Sequence, residues 1–389
     1  MLDNVHFEYI YIPESSQDRL FIVSFQNKTK TILNINGQLY HLNSLVRYKI
    51  PVLLSSALKI TSTLDLPIFD VYEYGESKIC NEYHYNIFYS FDREYFIGFF
   101  ASCLSLLTNI KDKNRIQILL ISICIPFDDL VYFEEQYVIF LSRIKVDFNL
   151  SINLVVDEMI DEVFIETKVF RGGNHLLNVG NFSRLLIGTL FKTDKILYLD
   201  SDSIVQTDLL QILDRIDIGE SVLIGKKSEL TLKNLLNSNY YRDVTNLLGR
   251  ELNLDSTIIY TGTLIFNSIK FNESYNDILK LVKVHNELPN GLYKLFTMSI
   301  LNISFNNKIS FFDDYLINIV DLGINTIKFN ESVLQNADVL DWSGMYKPWF
   351  TNGLHKMFWE RYNVMDFTPK EMVIVNKRTI EVGLSIYKS

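Results

Sequence analysis

The sequence predicts an α/β fold: a largely parallel sheet flanked by helices, with a small β-rich unit ahead of it. Three observations carry this. From Tyr85 onward, apolar runs of strand length alternate with longer runs of helical length, the pattern of strand–helix–strand units. Lys195 to Leu199 is a short apolar run ending at Asp200, as expected of a strand buried on both faces. Before residue 82 there are only short runs broken by turn residues, including Asn36-Gly37 between two of them, a strong hairpin signal.

In chain order, Arg19 to Phe25, Thr29 to Ile35, Gln38 to Leu42 and Ile50 to Leu54 are expected strands of the N-terminal unit, residues 1–82. The α/β domain, residues 83–364, opens with a strand at Asn86 to Phe91 and a helix at Tyr95 to Leu107. A strand at Arg115 to Ile123, a helix at Phe127 to Arg143 and a strand at Leu150 to Val156 follow. Helical stretches then run to Phe191, before the strand at Lys195. Residues 365–389 form a tail that packs on the domain or touches a membrane surface; its basic residues are sparse. In open α/β sheets ligands bind at the carboxyl ends of the strands. Two of these strands end in a carboxylate, at Asp92 and at Asp200.

The 389 residues carry 37 Lys+Arg and 46 Asp+Glu, a net charge of −9, which argues against a nucleic-acid partner. The three cysteines, Cys80, Cys103 and Cys124, show no metal spacing and suggest buried thiols in a reducing compartment. The N-terminus shows no basic-then-apolar leader, and no apolar run reaches 18 residues. The expected location is the cytoplasm, with peripheral contact at the inner face of a membrane as an option through the tail. Aromatic residues make up 13% of the chain and are read mainly as core.

The most informative segment is Lys195-Ile-Leu-Tyr-Leu-Asp-Ser-Asp-Ser-Ile-Val205. An apolar strand delivers Asp200, Ser201 and Asp202 into a turn, where the carboxylates at i and i+2 can face the same way. Two such carboxylates suit a hard divalent cation with positions left for phosphate oxygens. Asp-x-Asp is common by chance; the strand before it gives this one its weight. Two enzyme classes place the motif so: phosphatases of the haloacid-dehalogenase type, where it usually opens the domain, and nucleotide-sugar glycosyltransferases, where it comes mid-chain.

The flanks favour the second. Asn181-Phe-Ser-Arg184-Leu-Leu before the motif and Ile204-Val-Gln-Thr-Asp208-Leu-Leu after it resemble glycosyltransferase family 8, a retaining family with the GT-A fold. Ser90-Phe-Asp92-Arg-Glu-Tyr95, Gly262-Thr-Leu-Ile-Phe-Asn267, Asp313-Asp314-Tyr-Leu-Ile-Asn318 and Gly344-Met-Tyr-Lys347-Pro348-Trp349 resemble further family segments in the family's order, so the likeness covers about residues 85 to 362. It implies transfer of a hexose from a UDP-sugar, with Mn²⁺ or Mg²⁺, to a glycan, glycolipid or glycoprotein acceptor. It further implies roles. Asp200 and Asp202 bind metal and ribose, and Asp92 and Tyr95 lie at the uracil end. Arg184 braces the donor sugar and diphosphate, Asp313 holds donor hydroxyls, and Lys347 stabilises the leaving diphosphate. Ser201 and Gly262 line the nucleotide, while Gly344 allows close approach of a phosphate. Oligomeric state is left open.

Departures from the family pattern sit at the reacting centre. Asp341 stands where the family has a metal-binding His, and an Asp can serve as an oxygen ligand instead. His355 is a reserve ligand. Tyr260 stands where the family has Asn, and Asp314 where it has Gln. A rival alignment places the latter segment at Thr297-Met298-Ser-Ile-Leu-Asn302 and loses both polar groups; the alignment at 313–318 keeps the first Asp and the Asn and is preferred. A UDP-sugar-binding protein with weakened turnover remains the alternative.

Overall fold

The computed structural model describes residues 7–11, 19–26, 31–35, 38–42, 46–54, 58–62, 68–73, 85–91, 93–125, 130–144, 151–156, 184–191, 193–287, 295–322, 329–343, 346–350 and 353–365. Asn36-Gly37, Cys80, Asp92, Gly344 and the tail beyond residue 365 lie outside them.

Seven strands precede the α/β region: β1 (Phe7–Tyr11), β2 (Arg19–Gln26), β3 (Thr31–Ile35), β4 (Gln38–Leu42), β5 (Val46–Leu54), β6 (Leu58–Ser62) and β7 (Ile68–Glu73). β3 and β4 pair antiparallel with Ile35 opposite Gln38, the register a two-residue connection imposes. β1, β6, β3 and β4 form a four-stranded sheet of their own. The other three continue the main sheet, because β5 pairs in parallel with β10 (Ser151–Val156).

That main sheet has the order β15-β13-β14-β11-β8-β9-β10-β5-β2-β7 among the described residues. Its parallel centre is β11 (Ile196–Leu199), β8 (Tyr85–Ser90), β9 (Leu119–Ile125), β10 and β5. β14 (Thr257–Phe266) runs antiparallel between β11 and β13 (Leu223–Thr231), and β15 (Ile309–Phe311) closes that edge. β8 and β11 are buried at every residue, which explains their unbroken apolar character. β9 starts at Leu119 rather than Arg115, because the Asp112 carboxylate accepts from the Asn114 N–H and starts a 3-10 helix over Lys113–Ile118.

The first helix, α1 (Phe96–Asn109), has twelve of its fourteen residues buried. Phe96, Phe99 and Phe100 are almost wholly enclosed, each contributing about 1.5–3 kcal/mol relative to exposure. A polar stripe, Ser102, Ser105 and Asn109, recurs at helical spacing on this otherwise apolar helix. It holds β12 (Ser203–Val205), the strand just after the acidic turn. Ser105 Oγ accepts from the Val205 N–H at 2.9 Å, Asn109 Nδ2 donates to the Val205 carbonyl at 3.0 Å, and the Ser102 and Ser203 hydroxyls lie 3.3 Å apart. Gly98 sits at the crossing: a Cβ there would lie 2.6 Å from the Ser201 carbonyl oxygen. The second helix, α2 (Leu130–Arg143), follows β9.

A second, three-stranded sheet lies beyond the acidic turn, in the order β12-β17-β16, with β16 at Ile319–Asp321 and β17 at Val339–Asp341. Its register sets Ser203 opposite Asp341 and Asp321 opposite Asp341. The preferred segment at 313–318 begins on a single 3-10 turn, Phe312–Tyr315, ended by Leu316 in the left-handed conformation at φ 58°. The rival segment lies on an α-helix, Phe296–Ser304. Among the described residues, no helix is long and apolar enough to cross a membrane.

Candidate active site

The site forms where the two sheets meet, at the carboxyl end of β11. The Asp200 N–H donates to the Gly262 carbonyl at 2.7 Å, and the Asp200 carbonyl accepts from the Ser203 N–H at 3.1 Å and its hydroxyl at 2.7 Å. These bonds fix the turn that holds Asp200, Ser201 and Asp202. The β12–β17 register then brings Asp341 beside Asp202, and the Trp342 N–H donates to the Asp202 carbonyl at 3.3 Å. One ligand oxygen from each of Asp200, Asp202 and Asp341 lies within 4.8 Å of the others. Gly262 is what permits this approach: any Cβ there would press into Asp341 Oδ2 and the Tyr260 ring.

Two cations answer the three carboxylates. Arg184, buried, donates to Asp200 Oδ1 at 3.2 Å and to the Thr261 carbonyl at 2.9 Å, with its guanidinium 4.6 Å from the Tyr198 ring centre. Lys347 donates to Asp202 Oδ2 and to the Trp342 carbonyl, and lies 5.5 Å from the Tyr95 ring centre. Tyr95 in turn meets Trp349 edge-on at 5.6 Å. All three tryptophans of the chain, Trp342, Trp349 and Trp359, pack in one cluster at this end.

Burial and like charge act on these acids. Asp200, a quarter exposed, is pushed up to about 6, first by burial and then by Asp202, against the pull of Arg184. Asp341 is fully buried and raised well above the usual carboxylate range, first by burial, then by Asp202, Asp200 and Asp321. For Lys347 burial works against the charge, yet the Asp202 carboxylate outweighs it and holds the ammonium above the usual lysine range.

A divalent cation fits this arrangement. Asp341 Oδ2 is buried without a hydrogen-bond partner, an orphan acceptor that is costly unless something satisfies it. Three converging carboxylates form an all-oxygen donor set, suited to Mg²⁺ or Mn²⁺.

The structure thus brings together Asp200, Ser201, Asp202, Arg184, Tyr95, Tyr260, Gly262, Asp341 and Lys347. The Tyr260 hydroxyl donates to Asp341 Oδ1 at 3.1 Å. It does not gather Asp313 and Asp314, which are exposed on the 3-10 turn after edge strand β15, three strands from β11. His355 stands at φ 50° before a short helix, Lys356–Glu360, and is not among the converging ligands. Sequence reasoning missed Tyr198, whose hydroxyl donates to Asp200 Oδ1 at 2.5 Å. Its i, i+2 spacing from Asp200 on one strand was the available signal. It also missed Asp321, and it placed Asn302 only at the end of the rival segment. Asn302 clamps the helix to β14, accepting from the Ile259 N–H at 2.9 Å and donating to the Ile259 carbonyl at 3.1 Å.

A mixed sheet with a parallel centre, helices on its faces and an acidic turn at a strand end is the GT-A glycosyltransferase fold. A solved structure described as the WbbM bifunctional glycosyltransferase shares it, at a TM-score of 0.55 and 18% identity, covering 85% of this chain and 55% of that one. The family model for glycosyl transferase family 8 matches residues 86–353, and the chain belongs to that family. Family membership removes the phosphatase reading. The human glycosyltransferase 8 domain-containing protein 2 is 26% identical over 211 residues, 49% of this chain and 60% of that protein. Glycosyltransferase GlyE of Streptococcus pneumoniae is 26% identical over 209 residues, 52% of this chain and 44% of that protein. The chain therefore spans about half the length of these curated relatives.

Proposed function

We propose that the chain is a metal-dependent, retaining glycosyltransferase that moves a hexose from a UDP-sugar to a glycan, glycolipid or glycoprotein acceptor. The observation that carries this reading is the convergence of Asp200, Asp202 and Asp341 within 4.8 Å, flanked by Arg184 and Lys347. Asp200, Asp202 and Asp341 are the residues that would hold Mn²⁺ or Mg²⁺. Such an ion, when bound, neutralises charge on the departing diphosphate. Arg184 keeps Asp200 oriented from its buried side. Lys347, held by Asp202 and the Trp342 carbonyl, is a cation able to donate to a phosphate oxygen as negative charge develops there. Tyr95, partly exposed and backed by the buried Trp349, offers aromatic surface beside it, at the end assigned to the uracil. Residues 83–364 make up the proposed catalytic domain, with residues 1–82 as an addition that lengthens the sheet. Location in the cytoplasm, with the tail at a membrane face, belongs to the same proposal.

Calorimetry with UDP and Mn²⁺, followed by donor hydrolysis across a panel of UDP-sugars, tests this. Binding, with turnover lost in Asp202→Ala, supports the reading; no UDP binding in the presence of Mn²⁺ sinks it. A second reading, UDP-sugar binding with little turnover, draws on the helix Phe296–Ser304. There Thr297 is buried and Met298 packs on the core, where the rival alignment sets the family's polar pair. Binding without hydrolysis of any donor would select it.

A further inference from the structure

Asp321 ends β16, is 9% exposed, and was not among the expected site residues. Its carboxylate is engaged on both oxygens by one neighbour: the Ser343 N–H donates to Oδ1 at 3.2 Å, and the Ser343 hydroxyl donates to Oδ2 at 2.6 Å. Behind this clamp, the parallel register sets Asp321 beside Asp341, and the Asp341 carbonyl accepts from the Leu322 N–H at 2.5 Å. Three consecutive residues are therefore fixed from one side. Asp341 supplies a converging carboxylate. Trp342 supplies the carbonyl that accepts from Lys347, and its N–H holds the Asp202 carbonyl. Ser343 is the anchor. With nothing gripping Ser343, the chain after β17 loses one of the ties that hold Asp341 and Trp342, the others being the strand pairing of Asp341 and the Trp342 indole N–H bond to the Leu354 carbonyl at 2.8 Å.

Outer partners that orient and polarise ligands commonly change metal affinity by about 10–100-fold when removed.

We propose that Asp321 is a positioning residue for the metal and diphosphate site, clamping Ser343 so that Asp341 and the Lys347-bound Trp342 carbonyl keep their places. This rests on the metal-dependent donor-binding reading above. The experiment measures Mn²⁺ and UDP binding by calorimetry, with Mn²⁺ also followed by electron paramagnetic resonance, in the full chain and in Asp321→Ala, Asp321→Asn and Ser343→Ala. Thermal melting checks that each is folded. The expected result is that Asp321→Ala weakens Mn²⁺ binding in the presence of UDP by ~10-fold or more. Ser343→Ala should reproduce most of that loss. Asp321→Asn, which can accept from the Ser343 N–H and donate to its hydroxyl, should recover a large part of it. A double Asp321→Ala/Ser343→Ala variant should be no worse than Asp321→Ala alone. A folded Asp321→Ala that binds Mn²⁺ and UDP like the parent overturns the proposal, as does a Ser343→Ala with parental binding. Should Asp321→Ala fail to fold, Ser343→Ala and Asp321→Asn still decide. If the parent binds neither Mn²⁺ nor UDP, the donor reading falls and takes this proposal with it; parental binding in the variants overturns this proposal alone.

Discussion

The Lys347 ammonium donates to the carboxylate of Asp202, so the cation of the Lys-Pro-Trp segment already sits on one of the three acids proposed to hold a metal. Both side chains are under a tenth exposed, which makes this a buried ion pair and not a surface one. Removing one partner of a buried pair typically costs 3–5 kcal/mol, because the other charge is left uncompensated. Lys347→Ala should therefore lower the stability of the metal-free protein by roughly 3 kcal/mol. Mn²⁺ should restore much of that loss, because a dication can take over the neutralising role. Mn²⁺ alone should bind Lys347→Ala more tightly than the parent, since no ammonium competes for Asp202, while UDP should bind more weakly. Thermal melts with and without Mn²⁺ check the first part. Calorimetry checks the second, and tryptophan fluorescence is a convenient companion because all three tryptophans cluster near Lys347.

Gly262 gives a second test, through volume instead of charge. Its missing side chain is the space occupied by Asp341 Oδ2 and the Tyr260 ring. Gly262→Ala presses on both, an overpacking that costs about 1–3 kcal/mol. The cheaper movement is that of the Asp341 carboxylate, so Mn²⁺ affinity should fall by ~10-fold or more, a larger proportional effect than the shift in melting temperature. Parental Mn²⁺ binding in Gly262→Ala would show that Asp341 is not a ligand.

What could be read from the sequence was what is local. Asp200 and Asp202 follow an apolar strand directly, so strand, turn and paired carboxylates are visible within eleven residues. Asp341 is 139 positions further on and came into view only through family resemblance; its place beside Asp202 depends on the β12–β17 register, which no local pattern encodes. Asp321 depends on a further register, β16 against β17, and stayed hidden. The Asp313-Asp314 pair shows the opposite error. Two acids before an apolar stretch look like a helix start, yet only three residues separate Tyr315 from β16, too few for a helix. The helix at Phe296–Ser304 lacks acids in its first turn. Its buried Ile300, Leu301 and Ile303, and the Asn302 bonds to β14, stabilise it instead. Tertiary packing outweighed local capping chemistry there.

Cys103 lies on α1, fully buried, and burial pushes its thiol up to about 12. The thiolate is the reactive form, so this cysteine should resist alkylation in the native protein even at pH 8. In a variant with Cys80→Ser and Cys124→Ser, iodoacetamide should modify Cys103 only after denaturant is added, as mass spectrometry would show. Rapid modification of the native variant would mean that α1 opens readily, which its enclosed phenylalanines oppose.

The acid cluster predicts how metal binding depends on pH. Burial, the leading cause in both, pushes the Asp200 carboxyl up to about 6 and raises that of Asp341 well above the usual carboxylate range. A metal must displace the protons these groups hold, so binding releases protons and weakens as pH falls through about 6. Folding of the metal-free protein shows the reverse trend. A carboxylate whose pKa is higher in the folded state than in the unfolded chain holds its proton preferentially when folded. Its contribution is therefore fully present below the unfolded value, near 4, and is lost as pH rises through about 6. With Mn²⁺ bound, that loss should shrink or disappear, because the ionised carboxylates then face a dication. The two melting curves should therefore lie close together at pH 5 and separate by pH 7, with the Mn²⁺ form higher. Calorimetry in two buffers of different ionisation enthalpy at pH 6 should register proton release on binding. Equal Mn²⁺ affinity at pH 5 and pH 7 would mean that the raised carboxylates are not the ones that bind it.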